Sequence, residues 1–202
     1  MPVFHLLAGP NGAGKSSLYS ALVRDGILSA DLAFVNADLF EREHLQHIAD
    51  PEQRSQAARD WADAQRAIKL AGDESFVSET VFSHESKLAL ISEALAQGYV
   101  VALYVVALDD PQRLLTRVRR RVQEGGHFVP PDKILARYPR TLSNLSHAVG
   151  LATVAYLYEA RDLEDGGPFM VAMCEGAKVT TFADNLPRWA QTVLGQADIQ
   201  TD

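Results

Sequence analysis

Gly9-Pro10-Asn11-Gly12-Ala13-Gly14-Lys15-Ser16 fills all eight positions of the Walker A pattern, and its flanks decide what the match means. Val3–Ala8 before it is an apolar run of strand length, and after it Leu18, Ala21 and Leu22 recur at helical spacing. Strand, glycine-rich loop and helix in that order point to a phosphate loop rather than an ordinary glycine-rich turn. Glycines let backbone N–H groups turn inward, and the helix start adds partial positive charge. Lys15 can then reach the β and γ phosphates of ATP or GTP, and the Ser16 hydroxyl can hold Mg²⁺. Gly9, Pro10, Asn11, Gly12, Ala13, Gly14, Lys15, Ser16 and Ser17 are the candidate nucleotide contacts.

Outward from this loop, strands and helices alternate, which implies a parallel sheet with helices on both faces. Ala33–Asn36 reads as a short strand followed by Asp38. Pro51 to Ala71 reads as a helix with Ala57, Trp61, Ala64 and Ile68 on its packed face, Ser75–Glu79 as the third strand, and Leu88 to Leu95 as the helix after it. Tyr99–Leu108 is nearly all apolar, as a strand buried on both faces requires. A helix runs from Pro111 to about Glu124, a break follows at Gly125-Gly126-His127, and two further helical stretches are expected, the first kinked or restarted at Pro139. Phe169–Cys174 and Lys178–Phe182 read as a hairpin, and Leu186–Leu194 as a last helix. The expected architecture is a three-layer α/β P-loop fold with a mainly parallel sheet, a helical lid at 111–147 and a C-terminal β-hairpin, in one domain over 1–202.

Composition narrows the function. The chain of 202 residues is 47% hydrophobic, enough for a sizeable core, and its net charge of −7 argues against a general nucleic-acid binder. Its one cysteine, Cys174, allows no intrachain disulfide and suits a reducing cytoplasm, and no apolar run approaches the roughly 20 residues of a membrane span. An ABC ATPase would carry a Leu-Ser-Gly-Gly-Gln-like signature and a GTPase an Asn-Lys-x-Asp motif, and neither is present. That leaves the small P-loop kinases, whose second substrate lies across the carboxyl ends of the strands.

Such a kinase wants a carboxylate at a strand end near the γ-phosphate. Asp38 is placed for that, and it could equally cap a helix over Leu39–His47. Asn36 and the pair Glu79-Thr80 are candidate acceptor contacts at the same edge. Asp109 and Asp110 end the long apolar strand as a Walker B acid would, although Asp110 before Pro111 reads more plainly as a helix cap. Helix 111–124 puts Arg113, Arg117, Arg120 and Arg121 on one face, and the next helix aligns Lys133, Arg137, Arg140 and Asn144. A basic stripe can be a solvated surface, but two such helices joined by glycines read as a lid that brings arginines to the transferring phosphoryl group. Spacing leaves open which arrive; Arg117, Arg121 and Arg137 are the candidates, with His127 and Arg140 toward the acceptor. His84 and His147 show no metal-ligand spacing.

Taken together, the phosphate loop, Val-Asn-Ala-Asp38, Ser-Glu79-Thr80, Arg121-Val-Gln-Glu-Gly-Gly-His127-Phe-Val-Pro130 and Arg137-Tyr-Pro-Arg-Thr-Leu-Ser-Asn-Leu145 resemble the zeta toxin family of P-loop kinases. More narrowly they resemble its stand-alone branch, often labelled a predicted ABC-type ATPase. The similarity runs from about Val3 to Trp189. It implies transfer of the ATP γ-phosphate to the 3′-hydroxyl of the sugar in UDP-N-acetylglucosamine, with Lys15 and Ser16 on phosphate and Mg²⁺, Asp38 as base and Glu79 on the acceptor. It also implies a separate antitoxin protein that blocks the nucleotide site. Where a typical zeta toxin has an arginine before the Thr-Pro of the lid, this chain has His127 before Phe-Val-Pro, and Arg137 is the residue that could supply the charge.

Overall fold

The computed structural model describes residues 1–123, 129–162 and 167–195, and the backbone of 199–200. Its strands are β1 (Val3–Ala8), β2 (Ala33–Val35), β3 (Phe76–Thr80), β4 (Val100–Ala107), β5 (Val154–Glu159), β6 (Phe169–Glu175), β7 (Lys178–Thr181) and β8 (Ile199–Gln200). Its helices are α1 (Lys15–Arg24), α2 (Ala37–His44), α3 (Pro51–Ala71), α4 (Ser86–Ala96), α5 (Pro111–Gln123), α6 (Pro131–Leu151) and α7 (Arg188–Leu194). The sheet order is β2-β3-β1-β4-β5-β6-β7-β8. The first five strands are parallel, and β6 and β7 turn back as the expected hairpin.

Alternation along the central strands builds the two packed faces. Phe4, Leu6 and Ala8 of β1 with Leu103 and Val105 of β4 meet α3, α4, α7 and the second half of α6. Leu7, Ala102, Tyr104 and Val106 meet α1, α5 and Ile134 at the start of α6. Helices α1 and α4 thus leave the neighbouring strands β1 and β3 toward opposite faces, which opens a crevice at the carboxyl ends of these strands.

Helix α6 contributes to both cores, Ile134 to one and Leu142, Leu145 and Ala148 to the other. It therefore crosses the carboxyl edge of the sheet, where Tyr138 donates its hydroxyl to the carbonyl of Leu108 at 2.6 Å. The expected pair of helices is one helix with Pro139 inside it. The rest of that stretch is strand β5, whose Val-Ala-Tyr-Leu-Tyr run pairs in parallel with β4. Its β-branched and aromatic residues favour a strand, and the connection from α6 is too short to show as a turn. Helix α3 keeps its expected bounds but is rotated by one residue, burying Ala58, Ala62, Arg66 and Leu70 while Ile68 is 59% exposed.

Asp109 and Asp110 both hold helix starts. Asp110 accepts from the Gln112 N–H at 2.9 Å. Asp109 accepts from the N–H groups of Arg188 and Trp189 at 3.1 and 2.7 Å, closing an α7 start that lacks a side-chain cap of its own. Asp109→Ala is therefore expected to lower the unfolding free energy by about 1 kcal/mol in urea. The Mg²⁺ concentration needed for nucleotide binding should stay that of the native chain; an altered Mg²⁺ requirement would mark Asp109 as a metal ligand.

Candidate active site

Close backbone packing fixes the shape of the phosphate loop. A Cβ on Gly9 would lie 2.1 Å from the Val106 carbonyl oxygen, and one on Gly12 would lie 2.7 Å from that of Leu114. The loop is thus wedged between the end of β4 and the first turn of α5, with no space there for a larger residue. Helix α1 begins at Gly14 with no side-chain cap and no acidic residue in its first turn. Its leading N–H groups are left for an anion.

Lys15 is buried, 7% exposed, and its ammonium donates to the carbonyls of Gly9 and Pro10 at 3.1 and 3.2 Å. Glu79, at the end of β3, lies 3.6 Å from it. Burial lowers the Lys15 pKa, opposed by the attraction of Glu79 and Asp38. Burial likewise raises that of Glu79, opposed by Lys15. Both charges are held against desolvation by each other. The Glu79 carboxylate also accepts from Asn36 Nδ2 at 2.9 Å and from the Ser16 hydroxyl at 3.4 Å.

Asn36, and not Asp38, caps α2, its Oδ1 accepting the Leu39 N–H at 3.0 Å. Both ends of the Asn36 amide are thereby engaged inside the chain, which makes it a brace for Glu79. Asp38 sits in the first turn of α2, half exposed, 3.8 Å from the Arg121 guanidinium. It lines one cleft of about 580 Å³ with Asn11, Lys15, Glu79, Thr80, Arg121 and Arg137.

Two of the expected arginines lie elsewhere. Arg117 does not line the cleft but reaches Asp162 at 3.0 Å and the Ala160 carbonyl at 3.4 Å, and Arg113 joins the same carboxylate at 3.5 Å. Arg140 bonds back to the Ala136 carbonyl, also outside the cleft lining. Ser17 is exposed on α1. His127 and the glycine break lie outside the described residues. Sequence reading passed over Glu41, Arg66 and Lys87, which also line the cleft, as does Lys133 of the expected basic lid face. Lys133 was legible, one turn before Arg137 on the same helical face. Arg66 was hidden by the one-residue error in the phase of α3.

The lining holds seven Lys and Arg against four Asp and Glu, in a chain whose net charge is −7. That reversal suits anionic ligands. The Ser16 hydroxyl beside the Glu79 carboxylate is an all-oxygen donor set fitting Mg²⁺, which keeps water and phosphate ligands of its own. Among the described residues no three His, Cys, Asp or Glu side chains gather into a metal cage. A second cavity of about 560 Å³ opens beside α5, with Asp109, Arg113, Glu159, Arg161, Asn185 and Pro187 in its lining.

With this geometry in view, comparison with known proteins is specific. The zeta toxin family model matches residues 1–161. The fold is shared with a structure of the PezAT chromosomal toxin–antitoxin system of Streptococcus pneumoniae, at TM-score 0.61 and 16% identity over 79% of this chain and 68% of that one. It is shared too with the AvrRxo1-ORF1:-ORF2 complex solved with ATP, at TM-score 0.64 and 22% identity over 87% of this chain and 59% of that one. The same complex with sulphate ions gives TM-score 0.65 and 20% identity over 98% of this chain. The chain spans 66% of its counterpart there, so it is shorter than the AvrRxo1 chains it matches. No curated protein matches the chain in sequence. Among the described residues, no helix is long and apolar enough to cross a membrane.

The buried pair has a measurable signature. Lys15→Met leaves Glu79 buried without its cation, so stability at pH 7 should fall by about 3 kcal/mol in urea. Glu79 already has a raised pKa, raised further by this change, so the loss belongs to its ionised form and should shrink as pH falls toward about 4.3, where the unfolded chain is protonated too. Lys15→Met with Glu79→Gln should recover most of the loss. An equal loss at all pH values would show that the two charges are not coupled.

Proposed function

The chain belongs to the zeta toxin family, and from that premise we propose that it is an ATP-dependent kinase acting on a hydroxyl of a small anionic acceptor, UDP-N-acetylglucosamine or a related sugar nucleotide. The observation that carries this reading is the meeting of Lys15, Glu79, Asp38, Arg121 and Arg137 around one cleft at the carboxyl edge of the sheet. The triphosphate lies along the phosphate loop, with its base in the cavity beside Arg113 and Asn185, a placement supported by the first turn of α5, which carries Arg113 of that cavity and packs Leu114 on Gly12.

Asp38, half exposed in the first turn of α2, can turn toward a hydroxyl in the cleft. It takes the hydroxyl proton as the oxygen attacks the γ-phosphorus from the side opposite ADP. Lys15 leaves the Gly9 and Pro10 carbonyls for the β and γ oxygens, and Arg121 and Arg137 donate to the equatorial oxygens as charge spreads. Mg²⁺, when bound at Ser16 with Glu79 close by, neutralises the β and γ phosphate charge. Glu79 and Thr80 face the acceptor from β3. The cytoplasm is the proposed compartment, supported by a lone buried thiol, Cys174. The PezAT likeness supports a separate antitoxin protein as partner.

Incubation with ATP, Mg²⁺ and a panel of nucleotide sugars should add about 80 Da, one phosphoryl group, to an acceptor read by mass spectrometry. Asp38→Asn should reduce transfer at least about 100-fold while leaving ATP affinity nearly intact. Transfer undiminished in that variant contradicts the assignment of the base. ATP binding with no mass gain on any compound would favour a nucleotide-dependent switch in a toxin–antitoxin pair instead.

A further inference from the structure

Asn11 differs from its neighbours in the phosphate loop in what its side chain lacks. Its Oδ1 is buried and accepts no hydrogen bond among the described residues. Keeping an amide oxygen away from water without a partner costs about 1 to 3 kcal/mol, so such an atom calls for a reason. The Walker A pattern supplies none, because it leaves this position open to any residue and binds phosphate through the backbone. Asn11 does line the cleft, together with Lys15 and Asp38. A donor that reaches this atom during the reaction would give the amide its use.

The contact between the loop and α5 points to that donor. Gly12, next to Asn11, packs so closely on α5 that a Cβ there would lie 2.7 Å from the Leu114 carbonyl oxygen and 3.0 Å from a Val118 methyl group. Leu114, Val118 and Arg121 are spaced four and three residues apart, which puts them on one helical face. Arg121 therefore stands one turn beyond the residue that Gly12 touches. Its charge is felt at the loop: burial is the first cause of the shifted pKa values of Lys15 and Glu79, and Arg121 contributes to both. Its guanidinium also lies 3.8 Å from Asp38. Other cations of the lining are engaged elsewhere, Lys15 on the Gly9 and Pro10 carbonyls and both Arg66 and Lys87 on Asp63.

We propose that Asn11 is a positioning residue for Arg121. As triphosphate fills the loop, the guanidinium turns from Asp38 toward the γ-phosphate, and one of its N–H groups donates to Asn11 Oδ1. The remaining N–H groups then present a fixed fork to the phosphoryl oxygens. An amide suits this place because it accepts a hydrogen bond without setting a negative charge beside the phosphates, as an aspartate would. The inference rests on the kinase reading above and deepens it: Asp38 gives up its cation as the γ-phosphate arrives, so the base is released for the acceptor hydroxyl when the phosphate donor is in place.

The test needs no acceptor. Calorimetric titration with ADP and with the non-hydrolysable ATP analogue AMP-PNP, both with Mg²⁺, gives the preference for a γ-phosphate as a ratio of affinities. Asn11→Ala should leave ADP affinity within about twofold and cut that preference about tenfold. Arg121→Ala should cut it at least as far, and the double variant no further than Arg121→Ala alone. Adding Arg137→Ala to Asn11→Ala should instead multiply the two losses. Because Oδ1 has no partner to lose without nucleotide, Asn11→Ala should not lower the thermal midpoint of the unliganded protein. A lowered midpoint, a native chain that gains nothing from the γ-phosphate, equal loss of ADP and AMP-PNP, an undiminished preference in Asn11→Ala, or losses that multiply in the Asn11 and Arg121 double variant would each overturn the proposal. Coupling of Asn11 to Arg121 without transfer to any acceptor would leave the proposal standing and remove the kinase reading alone; transfer with multiplying losses would do the reverse.

Discussion

A buried ammonium and a buried carboxylate, Lys15 and Glu79, face each other at 3.6 Å where the phosphate loop meets β3. At an effective dielectric constant of about 20 their attraction is about 4 to 5 kcal/mol, while removing each from water costs several kcal/mol. The pair by itself gains little. Its position makes sense when the loop receives triphosphate, which gives the ammonium stronger partners than two carbonyl oxygens. Asn36 braces the carboxylate with one end of its amide and caps α2 with the other, so the same pair also sets where Asp38 stands. The proposed base and the phosphate grip are mechanically one unit.

The opposite wall comes from a helix that changes sides. Because α6 begins on one face of the sheet and ends on the other, its middle lies across the carboxyl edge, tied down by Tyr138 on Leu108. Asn144 continues the attachment, donating to the carbonyl of Phe82 at 3.0 Å, a buried residue with φ of 62° just beyond β3. Such a left-handed backbone is unfavourable for phenylalanine and persists because Asn144 holds its carbonyl and the Thr80 hydroxyl accepts its N–H at 3.4 Å. Lys133 and Arg137 are thereby set over the cleft from a helix anchored at two points. The rigid parts of the site are loop, strand end and helix, and its charges are long side chains on those parts.

Much of this was legible because the informative residues are local. The phosphate loop needs a strand before it and a helix after it, both visible as periodicity, and Asp38 could be placed because it follows a short strand directly. The choice of Asn36 as cap was not legible, since either residue can fill that role and tertiary contact with Glu79 decides it. Strand β5 was lost because helix and strand are joined almost without a turn. The phase of α3 was lost because Arg66 occupies an apolar face, and a pattern of apolar residues alone then fits one residue off. Arg117 could not be sorted from Arg121 by spacing. Its distinguishing partner, Asp162, is 45 residues away in the chain and meets it through the fold.

A crystal structure with AMP-PNP and Mg²⁺ tests the central claim most directly. The account expects the Lys15 ammonium to have left the Gly9 and Pro10 carbonyls for the terminal phosphate, within about 3 Å, with Asp38 facing that phosphate across a cleft that still has room for a second ligand. A terminal phosphate bound away from Lys15, or an Asp38 turned from it with the cleft closed, would contradict the account.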